Sequence, residues 1–196
     1  MEVAVIKYNA GNNFSVLCAL RRLGVEAVVT DDFDLIRNAG KVIFPGVGEA
    51  SSAMAYLRDK GLDSLIKSLQ QPVLGICIGQ QLMCRHSQEG DTDCLGIFDT
   101  DVLRFPAVDG MKIPHMGWNT IKVTSPAGVI PQSAANAFVY YVHSYYVPVC
   151  EATVATTDYI VPFSASMRKD NFFSTQFHPE KSGDVGEMII KNFLEL

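Results

Sequence analysis

A cysteine between two glycines is the residue of this sequence best placed for covalent chemistry. Cys77 lies in the stretch 73–81, where an apolar run passes through Gly-x-Cys-x-Gly into a helical pattern. This spacing predicts a nucleophile elbow, a sharp strand-to-helix turn whose neighbouring residues must be small. The turn would place the sulfur at a helix N-terminus, where backbone N–H groups favour the thiolate. A buried structural cysteine at a tight turn would show the same local pattern, so the motif alone leaves both interpretations open.

A histidine and a glutamate two positions apart offer a base and its orienting group. The sequence Gln-Phe-His-Pro-Glu at 176–180 places a proline after His178, and proline favours an extended conformation in the residue before it. Residues two apart in an extended chain face the same side, so His178 and Glu180 can lie side by side. Together with Cys77, about 100 residues upstream, they predict a cysteine–histidine–glutamate triad. A solvated His-Pro turn is the competing interpretation of the tripeptide alone.

A glycine-containing loop at 45–48 follows an apolar strand. Its sequence, Pro-Gly-Val-Gly, allows unusual backbone angles and the close approach of a ligand. The loop would lie at the carboxyl end of the strand, the edge where open α/β sheets bind ligands. We expect it to offer an N–H group to an oxyanion. It lacks the Gly-Lys-Ser/Thr ending of a phosphate-binding loop.

Metal and cofactor chemistry is not expected. The five cysteines form no C-x-x-C pair, and the four histidines show no H-E-x-x-H spacing. An odd number of scattered cysteines is typical of reduced thiols in a cytoplasmic protein rather than of a disulfide framework.

Alternating strand-like and helix-like segments make up the first half of the chain. Strands are predicted at 3–6, 25–30, 41–44 and 73–76, and Asp31 or Asp32 is expected to cap a short helix. Apolar residues at helical spacing predict three further helices, marked by Phe14, Leu17 and Leu20, by Ala50, Ala53, Met54 and Leu57, and by Leu62, Leu65, Ile66 and Leu69. This alternation favours a parallel sheet covered on both faces.

Short extended segments dominate the second half. They are predicted at 97–105, 118–124, 138–146, 152–157, 163–169 and 172–177, and we expect them to add antiparallel strands to the parallel core. A final helix is predicted at 184–196, with Asp184 and Glu187 in the spacing of a capping box.

Size and charge set the remaining limits. The chain has 196 residues and a net charge of −5, without a basic stripe, so nucleic acid is not an expected partner. The sequence contains no run of 18 apolar residues, so a membrane-spanning helix is not expected. The N-terminus lacks the pattern of a signal peptide. The length favours one domain over residues 1–196.

The two motifs around Cys77 and His178 resemble those of the class I (triad) glutamine amidotransferases. Three further stretches resemble one branch of that family, the glutaminase subunits of imidazole glycerol phosphate synthases. They are Pro-Gly-Val-Gly at 45–48, Pro-His-Met-Gly-Trp-Asn at 114–119 and Tyr-Tyr-Val-His-Ser-Tyr at 140–145. The resemblance runs from residue 3 to residue 196. It implies a three-layer α/β/α domain of flavodoxin-like type with added antiparallel strands.

The resemblance also implies roles for individual residues. Cys77 would attack the carboxamide of glutamine, His178 would move the proton, and Glu180 would orient His178. Ammonia would then pass to a cyclase subunit, a (β/α)8 barrel, and no cofactor or metal is implied. The implied sets are an oxyanion loop of Gly46, Val47, Gly48 and Ile78, a glutamine-binding group of Gln81, Ser144 and Tyr145, and a partner-facing group of Met116, Trp118, Tyr140 and Lys181.

Two departures from the family pattern stand out. The family usually has Asp-Tyr-Gly-x-Gly-Asn near the first strand, whereas residues 7–12 read Lys-Tyr-Asn-Ala-Gly-Asn. Gln80 stands where the family commonly has methionine. The alternatives are a glutaminase subunit of another class I amidotransferase, a stand-alone glutamyl hydrolase, and a non-enzymatic α/β interaction module, against which the intact Cys77, His178 and Glu180 argue.

Overall fold

A central mixed sheet organises the protein. The computed structural model describes residues 2–9 and 13–196, and within them eight strands pair in the order β2-β1-β3-β4-β14-β13-β12-β9. The strands of the described chain are β1 (Val3–Ile6), β2 (Ala27–Thr30), β3 (Lys41–Phe44), β4 (Val73–Ile76), β5 (His86–Ser87), β6 (Thr92–Asp93), β7 (Asp101–Arg104), β8 (His115–Thr120), β9 (Lys122–Val123), β10 (Phe138–His143), β11 (Tyr145–Tyr146), β12 (Thr153–Asp158), β13 (Pro162–Lys169) and β14 (Phe172–Thr175).

Helices cover both faces of this sheet. They are α1 (Asn13–Arg22), α2 (Phe33–Asn38), α3 (Ala50–Asp59), α4 (Leu62–Ser68), α5 (Ile78–Leu82) and α6 (Gly183–Leu194), with short 3-10 turns at Gln132–Ala134 and Pro179–Lys181. Helices α1 and α6 share one apolar core with Val3 and Val5, while α2, α3 and α4 share the other with Ala4 and Ile6. Alternate residues of β1 therefore enter opposite cores, as expected for a sheet buried between two helical layers.

The parallel half of the sheet positions the candidate nucleophile. β1, β3 and β4 have the predicted bounds, and every residue in them is buried. β14 runs parallel to β4, with Ser174 opposite Gly75 and Thr175 opposite Ile76. Two parallel strands end at the same edge, so the residues that follow β4 and β14 meet there.

The second half departs from its prediction in three ways. Antiparallel additions are confirmed for β9, β12 and β13, but β14 pairs parallel with β4 on its other side. Two strands were not predicted, β5 and β6, and they pair with β7 and β11 in a separate small sheet. β8 and β10 form a further antiparallel ribbon. The predicted segments at 97–105 and 138–146, and residues 118–120, therefore do not add to the central sheet as expected.

The helix marked by Phe14, Leu17 and Leu20 is confirmed as α1, although Phe14 is 74% exposed and the buried residues of α1 are Val16, Ala19 and Leu20. One helix start was predicted incorrectly. The capping box at the start of α6 is absent, because Ser182 holds the N-cap position and Asp184 lies inside the first turn. Glu187 forms an ion pair with Arg22 of α1. The predicted cap at Asp32 is confirmed, since its carboxylate accepts the N–H groups of residues 34 and 35.

Candidate active site

Cys77 occupies the turn between β4 and α5. Its φ of 55° and ψ of −107° lie in a region that non-glycine residues rarely adopt. The Cys77 N–H donates to the Thr175 carbonyl of β14 over 2.8 Å, which fixes the turn to the sheet. Such strain persists only where the surroundings determine the conformation, and it is frequent at reactive sites.

Two glycines make this turn possible. A Cβ atom on Gly79 would lie 2.0 Å from the Phe44 carbonyl oxygen, and one on Gly75 would lie 2.9 Å from the Gly79 carbonyl carbon. Both distances are shorter than real contacts, so only glycine fits at either position. The Gly-x-Cys-x-Gly spacing therefore reflects close backbone approach on both sides of Cys77.

His178 and Glu180 form a buried pair beside the turn. Each side chain is 1% exposed, and His178 Nδ1 lies 2.8 Å from Glu180 Oε1. Burial would lower the pKa of His178, but the neighbouring Cys77 and the hydrogen bond and charge of Glu180 raise it to about 10. His178 Nε2 is buried without a hydrogen-bond partner. The raised pKa favours the imidazolium form of His178, and Nε2 is the nitrogen available to a reacting group.

A pocket of about 370 Å³ opens above Cys77. Seven residues predicted for the site line it, namely Val47, Gly48, Cys77, Ile78, Gln81, Ser144 and Tyr145. The structure therefore brings the elbow, the loop and the predicted glutamine-binding group around one space. Gly46 is buried in the same loop, just before the lining residues.

Four lining residues were not predicted for the site: Glu89, Pro114, Val142 and His143. The Glu89 carboxylate accepts the Ala50 N–H over 2.9 Å, and burial raises its pKa. Glu89 lies in the connection between β5 and β6, where no periodicity or motif marks it. Only the folded structure places Glu89 at the pocket.

Comparisons with known proteins identify the family. The family model for glutamine amidotransferase class-I matches residues 4–196. This chain belongs to the class I glutamine amidotransferases. A relative from Bacteroides fragilis named imidazole glycerol phosphate synthase subunit HisH is 64% identical, over all of both chains. A protein of the same name from Idiomarina loihiensis is 43% identical, over all of this chain and 98% of its own length.

A solved structure of a glutamine amidotransferase supports the fold of this amidotransferase. It covers 98% of this chain and 97% of its own length, with a TM-score of 0.76 at 18% identity. The three-layer flavodoxin-like fold is therefore confirmed.

Gln81 of the amidotransferase is held by its amide nitrogen. Its Nε2 donates to the Tyr145 carbonyl and to Gln176 Oε1, each over 2.9 Å. Gln176 Nε2 in turn lies 3.8 Å from the Cys77 sulfur. Because both protons of the Gln81 amide are used, its Oε1 is the atom left to receive a ligand. Gln176 stood in the quoted motif without a predicted role.

The glycine loop is anchored at its first residue. Tyr8 is buried, and its hydroxyl donates to the Pro45 carbonyl over 2.6 Å. Gly48 adopts a φ of +129°, a conformation that L side chains rarely adopt, and Val47 is exposed. The loop is thus fixed at Pro45, and Val47 and Gly48 reach the pocket.

Three of the four predicted partner-facing residues lie on the ribbon of β8 and β10. Trp118 stands opposite Tyr140 and Met116 opposite Val142, so these side chains share one face. Trp118 is 57% exposed and Met116 63%, and Lys181 is exposed on the nearby 3-10 turn. Phe138, 60% exposed, lies on the same face and was not predicted.

The departures from the family pattern have different structural outcomes. Gln80 is fully buried, where its Nε2 donates to the Ser164 carbonyl over 3.0 Å and its Oε1 accepts from Ser174 over 2.9 Å. Its amide is therefore satisfied at both ends. The Asn9 side chain donates to the Ser52 carbonyl. The rest of that departure, residues 10–12, lies outside the described residues.

Two further features of the described residues bear on cofactors and membranes. Across residues 2–9 and 13–196, histidine, cysteine and carboxylate side chains form no group of three that would hold a metal ion. In the same part of the chain, every helix is too short or too polar to cross a membrane.

Proposed function

We propose that this amidotransferase is the glutaminase subunit of an imidazole glycerol phosphate synthase. It hydrolyses glutamine to glutamate and ammonia and passes the ammonia to a cyclase subunit. The observation that carries the proposal is a strained Cys77, beside the buried His178–Glu180 pair, at the floor of a pocket of about 370 Å³. The choice of synthase rests on the 64% identity to a HisH subunit over the whole chain.

Cys77 is the nucleophile in this proposal. Its thiolate attacks the carboxamide carbon of glutamine, and the C=O electron pair moves onto oxygen. The N–H groups of Ile78 and of the 46–48 loop receive this oxyanion, and one such donor is worth roughly 10² to 10³ in rate. The intermediate collapses to a γ-glutamyl thioester as the C–N bond breaks.

His178 moves the protons. Its imidazolium, stabilised by Glu180, donates the Nε2 proton to the departing nitrogen, so that ammonia leaves. The neutral imidazole then takes a proton from water, whose oxygen attacks the thioester. Glutamate leaves, and the thiolate–imidazolium pair is restored. Glu180 holds Nδ1–H throughout, which directs Nε2 to the reacting atoms.

Acceptor groups at the pocket wall suit the α-ammonium of glutamine. Gln81 Oε1 is the atom of its amide that remains to accept a hydrogen bond, and Glu89 lines the same pocket. A cationic ligand group would offset the desolvation of Glu89. Ser144 and Tyr145 complete the wall with polar groups for the rest of the amino acid.

The partner in this proposal is a (β/α)8-barrel cyclase that forms a heterodimer with the amidotransferase. It would combine ammonia with a phosphoribosyl-type substrate and release imidazole glycerol phosphate and AICAR, a step of histidine biosynthesis. The exposed face of Met116, Trp118, Tyr140 and Lys181 is the proposed docking surface. Residues 1–196 would act as one domain in the cytoplasm.

Glutamine turnover with and without the cyclase tests the proposal. We expect a low rate for the isolated chain and strong stimulation when the cyclase and an acceptor analogue are both present. The amide nitrogen of glutamine should be found in the cyclase product rather than as free ammonia in solution. A fully active isolated chain would favour a stand-alone glutamyl hydrolase, and stimulation only by another synthase would favour a different class I subunit. No glutamine turnover under any condition would refute the enzymatic assignment.

A further inference from the structure

Two buried histidines connect the exposed ribbon to the pocket wall. His143 Nδ1 lies 2.7 Å from the Tyr145 carbonyl oxygen, and His143 Nε2 lies 2.9 Å from His115 Nδ1. His115 Nε2 lies 3.3 Å from Asn119 Nδ2. The connection therefore runs from Asn119 through both imidazoles to Tyr145.

The ends of this chain determine where each proton sits. A carbonyl oxygen only accepts, so His143 carries its proton on Nδ1 and leaves Nε2 as an acceptor. His115 must then donate from Nδ1. The Asn119 amide nitrogen donates to the Asp158 carbonyl, and its second proton points to His115 Nε2. Both neutral rings are therefore held in the Nδ1–H tautomer, with every ring nitrogen paired.

The surroundings keep the pair neutral and in place. His115 stacks on Tyr159 at 4.0 Å and on Tyr141 at 4.8 Å between ring centroids. Burial lowers the pKa of His115 to about 4 and that of His143 to about 3. Two interior-facing histidines on β8 and β10 stand directly opposite each other, so the ribbon itself sets their separation.

The Tyr145 carbonyl is the point where the histidine chain meets the pocket. It accepts from His143 Nδ1 and also from Gln81 Nε2. His143 occupies one lone pair of the Tyr145 carbonyl oxygen, so the second lone pair points in a defined direction. An acceptor in that direction favours the orientation of the Gln81 amide in which its nitrogen faces Tyr145. Oε1 is then the end of the Gln81 amide that remains to accept a hydrogen bond from a ligand in the pocket that Gln81 lines.

We propose that His115 and His143 are positioning residues for glutamine binding. Their locked tautomers hold the Tyr145 carbonyl so that the Gln81 amide presents oxygen, rather than nitrogen, to the α-ammonium of the substrate. This inference rests on the proposed function, because it requires glutamine as the ligand. It assigns a role in ligand selection to His115, which does not line the pocket. His115 would help the site to prefer an α-amino acid over a ligand with the same carbon skeleton and no amino group.

A matched pair of variants separates this role from packing. Asn and Leu have nearly the same shape, and both lose the stacking of His115. His115→Asn keeps an amide donor close to the position of Nδ1, whereas His115→Leu leaves His143 Nε2 unpaired. Asn119→Leu is a milder second variant, because it removes the donor to His115 and leaves both imidazoles in place.

Affinities of the full chain for glutamate and glutarate provide the readout. The two ligands differ only in the α-ammonium group, so their affinity ratio measures its recognition. We expect a clear preference for glutamate in the wild type and in His115→Asn, and a ratio about tenfold smaller in His115→Leu, the size of one lost hydrogen bond in a buried site. Asn119→Leu should lower the ratio by a smaller factor.

The outcomes distinguish the inference from the proposed function. Equal wild-type affinity for the two ligands would overturn recognition of the ammonium group and the inference with it. A preserved ratio in His115→Leu, with the wild-type preference intact, would overturn the inference alone. 15N NMR of the wild type tests the tautomers directly, and a protonated Nε2 on His143 near neutral pH would also refute it, even where a variant fails to fold.

Discussion

The N–H of His178 donates a hydrogen bond to the Tyr140 carbonyl over 2.9 Å. Two more hydrogen bonds connect Tyr140 with the segment that begins at His178. The Tyr140 N–H donates to the Ser182 hydroxyl, and that hydroxyl donates to the His178 carbonyl over 2.6 Å. Tyr140 belongs to the ribbon whose outer face carries Trp118. A subunit that displaced this ribbon would therefore move the backbone of the candidate base.

Trp118→Ala should weaken binding of the cyclase. Buried aromatic anchors at interfaces are typically worth at least about 2 kcal/mol, so we expect the dissociation constant to rise roughly 30-fold or more. The fold should persist, because the side chain is 57% exposed in the isolated chain. Titration calorimetry measures the affinity.

Leu35→Ala is the control for this surface. Leu35 is also an exposed apolar residue, at 42%, but it lies on α2 at the other side of the sheet. It should leave the cyclase affinity unchanged. Equal effects of the two substitutions would show that the ribbon is not the docking surface.

Cys77→Ala should abolish glutamine hydrolysis, by roughly 10⁴ or more in rate. The fold should persist, because the substitution removes one sulfur at a turn that backbone contacts fix. The alanine would adopt the same positive φ as Cys77. In the complex, added ammonium salt should still support the cyclase reaction, because only the ammonia supply is lost. Glutaminase activity near the wild-type rate would refute the thiol mechanism.

His178 should make stability depend on alkaline pH. Its folded pKa is raised to about 10 from a usual 6.5. The stabilising contribution is therefore complete below about pH 6.5 and is lost as pH rises through about 10. His178→Asn does not titrate, yet it keeps an amide donor for Glu180.

Denaturant unfolding of both proteins between pH 6 and 10 measures this effect. The wild type should lose free energy of unfolding relative to His178→Asn as the pH rises. A constant difference would show that the imidazole pKa is not raised by folding. His178→Asn should also lose glutaminase activity about as severely as Cys77→Ala, and the double variant should be far from additive, because the two residues act as a unit.

Gly79→Ala should destabilise the protein more than a glycine substitution that only strains the backbone. Its Cβ would lie 2.0 Å from the Phe44 carbonyl oxygen, so backbone must shift. Gly110→Ala is the matched control, because Gly110 has a φ of +77° and open space around it. This substitution strains only the backbone, at a cost of about 1 kcal/mol. Thermal unfolding compares the two variants, and equal losses would contradict the close approach at Gly79.

Central strands could be predicted from the sequence with their exact bounds. β1, β3 and β4 are buried on both faces, which produces continuous apolar runs, and a proline or glycine marks several of their ends. The elbow was predictable for the same reason, since close backbone contacts leave glycines in the sequence. Two-residue strands such as β5 and β6 carry no such signal, because pairing with neighbours alone defines them.

Side-chain partnerships were the part that the sequence did not reveal. Gln81 and Gln176 are 95 residues apart, and neither shows that their amides meet. His115 and His143 lie in segments identified by resemblance, but their contact follows from the register of β8 against β10. The same reasoning applies to Asp184 and Glu187, whose capping spacing is not used because Ser182 holds the N-cap position, while Glu187 pairs with Arg22 of another helix. The roles assigned to Cys77, His178 and Glu180 stay predictions until they are measured.

The contact of Gly79 with Phe44 also limits where the pocket can change shape. Backbone meets backbone there, so no side-chain rotamer is available to absorb a displacement between β3 and the elbow. The following residue, Pro45, is held by Tyr8. Any rearrangement of the glycine loop relative to the sulfur must therefore pivot after Pro45, within three peptide units. The protein thus separates a rigid frame, which sets the nucleophile, from a short hinge through which a bound subunit could adjust the oxyanion donors.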